Sequence, residues 1–154
     1  VTKGIFLIVL MAVPLSAELR RVEMRLTGLD CNTCGESVDK VMKRNRGVDT
    51  VIFDSKFNVV TLTLKLDNKT QLSAIRDSAK SVGYTPGDVK VKARGSLMKE
   101  GGQWQFVVSG PETKWKVEMP EDLAKSAGPD VVVDGTLAEK TPDVLQIHSI
   151  TKAE

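Results

Sequence analysis

The chain has 154 residues and only two cysteines, Cys31 and Cys34, with two residues between them. Two thiolates at this spacing can close on one ion, and thiolate is the protein ligand that best matches Cu(I), Zn(II) and related heavy metals. If a helix begins at this point, its unpaired N–H groups and the positive end of its dipole favour thiolate over thiol. The same spacing also serves a dithiol redox pair, and a lone CxxC does not choose between the two uses. Asp30, directly before Cys31, adds a carboxylate. As a third ligand it suits Zn(II) or Cd(II) better than Cu(I); as a helix-start residue it only favours the dipole. The residues alone leave both readings open.

The elements around this turn follow from periodicity. Val22, Met24 and Leu26 alternate with Arg21, Glu23, Arg25 and Thr27, the pattern of a strand with one buried face. Cys34, Val38, Val41 and Met42 then recur at helical spacing until Gly47, which is expected to stop the helix. Val48 to Phe53 and Val59 to Leu66 read as a hairpin about the polar turn Asp54 to Asn58. Thr70 is expected to cap a second helix with Leu72, Ile75, Ala79 and Val82 on one stripe, ending at Gly83. Tyr84 to Gly87 is expected to turn the chain into a fourth strand, where Val89, Val91 and Ala93 alternate with Lys90, Lys92 and Arg94. The order βαββαβ predicts an α+β fold of ferredoxin-like type, with both helices on one face of an antiparallel sheet. Such a fold names no function.

The stretch Gly28-Leu29-Asp30-Cys31-Asn32-Thr33-Cys34 resembles the GMxCxxC turn of heavy-metal-associated domains, with Leu29 in place of the family's Met. The resemblance extends from Val22 to about Arg94 and includes the Gly83-Tyr84 pair after the second helix. It implies that Cys31 and Cys34 bind the ion, that Leu29 packs inward, and that the loop carrying Tyr84 approaches the site. Tyr84 is then either a shield against solvent or a loop anchor. An acidic residue at the position of Asp30 resembles the zinc- and cadmium-type sites of the family more than its copper-type sites.

Beyond Arg94 the texture changes. Leu97 to Glu100, Gln103 to Val108, Lys114 to Met119, Val131 to Leu137 and Val144 to Ile150 are short β-rich runs. Gly101-Gly102, Ser109 to Pro111, Pro120, Gly128-Pro129 and Pro142 divide them, and Glu121 to Ala127 reads as a helical insert. Five strands with one helix suit a small OB-like barrel or a β-meander. The expected organisation is a leader over 1–17, a ferredoxin-like domain over 18–94 and a small β domain over 95–154, with Thr151 to Glu154 frayed. No flexible linker separates the last two, so they are expected to pack with limited freedom.

Lys3, the apolar run Gly4 to Val13 and the small residues up to Ala17 form the parts of a secretory signal, cleaved after Ala17. The apolar run is shorter than the roughly 20 residues that span a bilayer, so no stable membrane span is expected. The expected compartment is periplasmic or secreted, where oxidants compete with metal for the thiols. The formal charge is +2, and no basic groove points to nucleic acid. Lys40, Lys43, Arg44 and Arg46 favour the end of the first helix and could steer an acidic partner. Met24 and Met42 lie on core stripes, His148 stands alone in a β-rich run, and Trp104 and Trp115 are expected in a β core. With one histidine and no acid–base pair or phosphate loop, no enzyme is expected. The expected function is a metal scavenger or metallochaperone for Cu(I), or for Zn(II), Cd(II) or Hg(II), with a metal transporter or acceptor protein as partner. A thiol–disulfide module using Cys31 and Cys34 is the alternative.

Overall fold

The computed structural model describes residues 18–28, 34–108 and 113–154. Strand β1 (Glu18–Thr27) buries Leu19, then Val22, Met24 and Leu26. The buried positions change from odd to even numbers because a bulge between Leu19 and Arg21 inserts Arg20 without a partner. Helix α1 (Cys34–Lys43) presents Val38, Val41 and Met42 to the core. It is closed by Asn45, whose amide donates to the Met42 carbonyl at 3.1 Å, rather than by a left-handed Gly47.

Strands β2 (Val48–Asp54) and β3 (Val59–Leu64) pair as the expected hairpin. Asp54 Oδ1 accepts the N–H groups of Lys56 and Phe57, and Asn58 takes a left-handed φ of 51°, so the turn chemistry is local. β3 ends two residues earlier than its alternation suggests, and Leu66 is 74% exposed. Helix α2 (Leu72–Ser81) starts after Gln71, not Thr70, and Gln71 makes no side-chain cap. The Thr70 N–H instead donates to the Asn68 side chain, which holds the approach to the helix.

Strand β4 (Thr85–Glu100) absorbs both the expected fourth strand and the run at Leu97. The turn expected over Tyr84 to Gly87 is completed before Thr85; Pro86 and Gly87 lie within the strand, where a bulge opposite Arg25 accommodates them. The first four strands lie in the order β2-β3-β1-β4, all antiparallel, and both helices contact this sheet. β4 then leads into β5 (Gln103–Val107), β6 (Lys114–Glu118), the short helix α3 (Glu121–Ala124), β7 (Gly128–Leu137) and β8 (Val144–Lys152).

The pairings β4–β5, β5–β6, β6–β8, β8–β7 and β7–β4 close on themselves as a five-strand barrel, with β6–β8 its one parallel pair. Residues 89–94 of β4 bond to β1 on one edge and to β7 on the other. One strand therefore serves both halves. At Gly95 the sheet coils into the barrel; a Cβ there would stand 2.2 Å from the Val107 carbonyl oxygen, so only glycine fits this approach. Phe106 and Trp115 stack inside the barrel, and their cluster is continuous with Val22, Met24 and Leu62 under the helices. Gly128 and Pro129 belong to β7, and Thr151 and Lys152 pair with it, so neither the expected break nor a tail frayed from Thr151 is found. Arg94 grips Asp130 with two hydrogen bonds of 2.7 Å, fastening β4 to β7.

Candidate metal centre

Leu29, Asp30, Cys31, Asn32 and Thr33 lie outside the described residues, and of Cys34 the backbone is described as the first residue of α1. The frame that delivers this segment is defined on both sides. β1 ends at Thr27, Gly28 follows with a φ of 109° that suits glycine, and α1 begins six residues after Gly28. A Cβ on Gly28 would meet the Gly83 carbonyl oxygen at 3.5 Å and Thr85 Oγ1 at 3.7 Å, so the α2–β4 turn lies against the end of β1.

That turn is built by α2. The Gly83 N–H donates to the Lys80 carbonyl and the Tyr84 N–H to the Ala79 carbonyl, with Gly83 at a φ of 89°. This paired closure satisfies the last helical carbonyls and fixes Tyr84 in place. Tyr84 is 4% exposed and meets Phe53 edge-on, ring centroids 6.3 Å apart. Burial raises the Tyr84 phenol above its ordinary range, so at neutral pH it is an uncharged group. Of its two expected roles, the loop anchor is the one these contacts describe.

Phe53 also faces the helix start: a Cβ on Gly35 would stand 3.3 Å from its ring. By periodicity Phe53 is only a strand residue; the signal for its place is a large aromatic on the same alternation as Val51, toward the helices. Gly28 and Gly35 flank the cysteine segment in sequence, with the α2–β4 turn against the first and the Phe53 ring against the second. The first turn of a helix carries backbone donors and the positive end of the dipole, which favour thiolate over thiol at such a position.

Other candidates fall elsewhere. Met24 and Met42 are fully buried in the core. Lys40 and Lys43 stand toward the far end of α1, about 9 and 14 Å from its start at 1.5 Å per residue, and Lys43 pairs with Asp39 at 2.9 Å. This run therefore stands at the opposite end of the helix from its first residue. His148 lies on β8, with Nε2 2.9 Å from Thr136 Oγ1. Trp115 is buried in the barrel, whereas Trp104 is half-buried with the Lys99 ammonium 5.9 Å from its ring centre. Among the described residues, no three His, Cys, Asp or Glu side chains gather as a metal site, and no helix is long and apolar enough to cross a membrane.

No protein-family model matches the chain, and no curated protein matches it. Solved structures do. A CopZ metallochaperone is 20% identical, with 43% of this chain and 97% of that one covered at a TM-score of 0.40. Oxidised MerP from Ralstonia metallidurans CH34 is 22% identical, with 44% and 93% covered at a TM-score of 0.41. The N-terminal domain of a potential copper-translocating P-type ATPase from Bacillus subtilis, in its Cu(I)-loaded state, is 18% identical, with 53% and 99% covered at a TM-score of 0.41.

Proposed function

We propose that this chain is an exported heavy-metal-binding protein, a scavenger or metallochaperone, that holds one soft ion between the thiolates of Cys31 and Cys34. The observation that carries the reading is the position of the CxxC segment. In sequence it falls between the end of β1 and the start of α1 in a β1-α1-β2-β3-α2-β4 layer, directly after Gly28, which lies against Gly83 and Thr85. Soft-ligand chemistry and a helix N-terminus coincide there.

An ion held by two thiolates leaves coordination positions open to a partner's thiolates. The incoming sulfur bonds to the ion before Cys31 or Cys34 lets go, so transfer proceeds without any change of oxidation state. The partner in this reading is a metal transporter or acceptor protein, the compartment is periplasmic or secreted after removal of 1–17, and the role is binding and transfer rather than catalysis. Asp30 acts as a third ligand that favours Zn(II) and Cd(II) over Cu(I). The barrel belongs to an OB-like β domain. Its closed strand cycle, its parallel β6–β8 pair and the helix between β6 and β7 support that assignment.

Titrating the reduced protein with Cu(I), Zn(II), Cd(II) and Hg(II) tests the reading, with the Cys31→Ser/Cys34→Ser variant alongside. One ion per chain in the parent and none held tightly by the variant is expected; unchanged stoichiometry in the variant overturns it. Asp30→Thr should weaken Zn(II) and Cd(II) by roughly 1.5 to 3 kcal/mol, the scale of a charge-assisted contact, and Cu(I) by less. Equal losses for all ions would make Asp30 a helix-start residue only.

A further inference from the structure

The side of the layer opposite the helices carries a trough of about 290 Å³ spanning β1, β4, β7 and β8, where the sheet begins to coil into the barrel. Two irregularities shape it. The bulge at Arg20 sets Arg21 directly opposite Lys92. On the other wall, Asp134 pairs with Ser149 but Gly135 pairs with Ile147, so His148 is the extra residue of a bulge and lines the trough beside Thr136. Bulges commonly re-aim side chains in this way.

Its electrostatics are unbalanced. Arg21 and Lys92 are cross-strand neighbours of like charge, an arrangement that costs stability unless an anion lies between them. The trough is lined by three cations, Arg21, Lys90 and Lys92, and two carboxylates, Glu23 and Asp134. Glu23 lies 3.7 Å from Arg21 and 3.4 Å from Lys90, and Asp134 accepts the Ser149 hydroxyl at 3.2 Å. Although Asp134 is the register partner of Lys92 on the other side, the two do not come within ion-pair distance, and among the described residues Lys92 has no carboxylate partner.

We propose that this trough binds the phosphate or carboxylate group of a small molecule. Arg21 and Lys92 hold the anion, Thr136 and His148 hydrogen-bond to it, and Asp134 receives hydroxyl or amine donors from the body of the ligand. The volume lies near the lower limit of small-molecule sites, which fits a compact polar metabolite rather than an extended chain. The site uses none of the cysteine segment and stands independently of the metal reading.

Amide NMR titration of the full chain with inorganic phosphate, citrate and glycerol phosphate tests it. Saturable shifts are expected at Arg21, Lys92, Thr136 and His148, and the tighter of citrate and glycerol phosphate identifies the preferred group. Lys92→Gln and Arg21→Gln should each raise the dissociation constant roughly tenfold or more. Lys125→Gln, a lysine outside the trough, and the Cys31→Ser/Cys34→Ser variant should leave it unchanged. In anion-free buffer Lys92→Gln should melt no lower than the parent, because it relieves the like-charge pair. Absence of saturable shifts, equal weakening by Lys125→Gln, or binding untouched by both trough variants would overturn the proposal.

Discussion

The layer and the barrel share strand β4 but bury it by different means. In the layer, Val89 and Val91 are covered because two helices pack over one face of an open sheet. In the barrel, Leu97 is covered because the sheet closes on itself around Phe106 and Trp115. The open arrangement leaves a free edge at β2, with Ile52 65% exposed, whereas the closed one has no edge to protect. The candidate chemistry divides in the same way: the cysteine segment follows β1 of the layer in sequence, and a charged trough lies where open sheet becomes closed barrel. What the two regions have in common is mechanical, since any strain in β4 reaches both.

The largest effect that can break this comparison is on cooperativity. Phe106→Ala should cost about 3 to 5 kcal/mol from the cavity and lost burial. Because β4 and a continuous core join the regions, the helices should be lost together with the barrel. Helical circular dichroism reports the layer, and the fluorescence of Trp104 and Trp115 reports the barrel. In urea both signals should move to the same lower midpoint in the variant. A fluorescence transition shifted alone would show that the regions unfold separately.

A smaller effect is expected where Arg94 fastens β4 to β7. The hydrogen bonds from Arg94 hold the Asp130 carboxyl below the usual carboxylate range, against the opposing effect of desolvation. Its contribution is therefore present above the unfolded value near pH 4 and is lost as pH falls through the lower folded value. Asp130→Asn should cost about 1 kcal/mol or less at neutral pH, since the pair is partly exposed. Urea titrations should show the gap between parent and variant closing in acid. A gap that does not depend on pH would mean that the carboxylate charge is not what fastens the strands.

The smallest effect at neutral pH belongs to Tyr84→Phe. The buried phenol has a raised pKa, so the folded state holds its proton more tightly than the unfolded chain does. Stability should fall as pH rises above about 10, and Tyr84→Phe should lessen that fall. Melting curves across alkaline pH check it, and identical alkaline slopes would contradict it.

The layer was legible because its signals are local. Alternation at Val22, Met24 and Leu26 and helical spacing at Val38, Val41 and Met42 need no knowledge of distant partners, and each falls where expected. Misplaced boundaries came from tertiary contacts overriding local pattern: Leu66 continues the alternation of β3 yet is exposed, and Asn68 binds Thr70 away from a capping role. In the barrel the strand runs were readable, but their closure was not. A meander and a closed barrel differ in the pairs β4–β7 and β6–β8, which join residues far apart in sequence. The same limit hid the role of Phe53 beside α1 and the opposition of Arg21 to Lys92. The cysteine spacing is read from the sequence alone, because residues 29–33 and the Cys34 side chain lie outside the described residues.

In the proposed function Cys31 and Cys34 together hold one soft ion. X-ray absorption at the copper edge, on reduced protein loaded with one equivalent of Cu(I), tests it most directly. A copper environment dominated by two sulfur neighbours is expected, lost in Cys31→Ser/Cys34→Ser while helical circular dichroism is unchanged. An environment of nitrogen and oxygen neighbours, or a sulfur signal that survives in the variant, would contradict it.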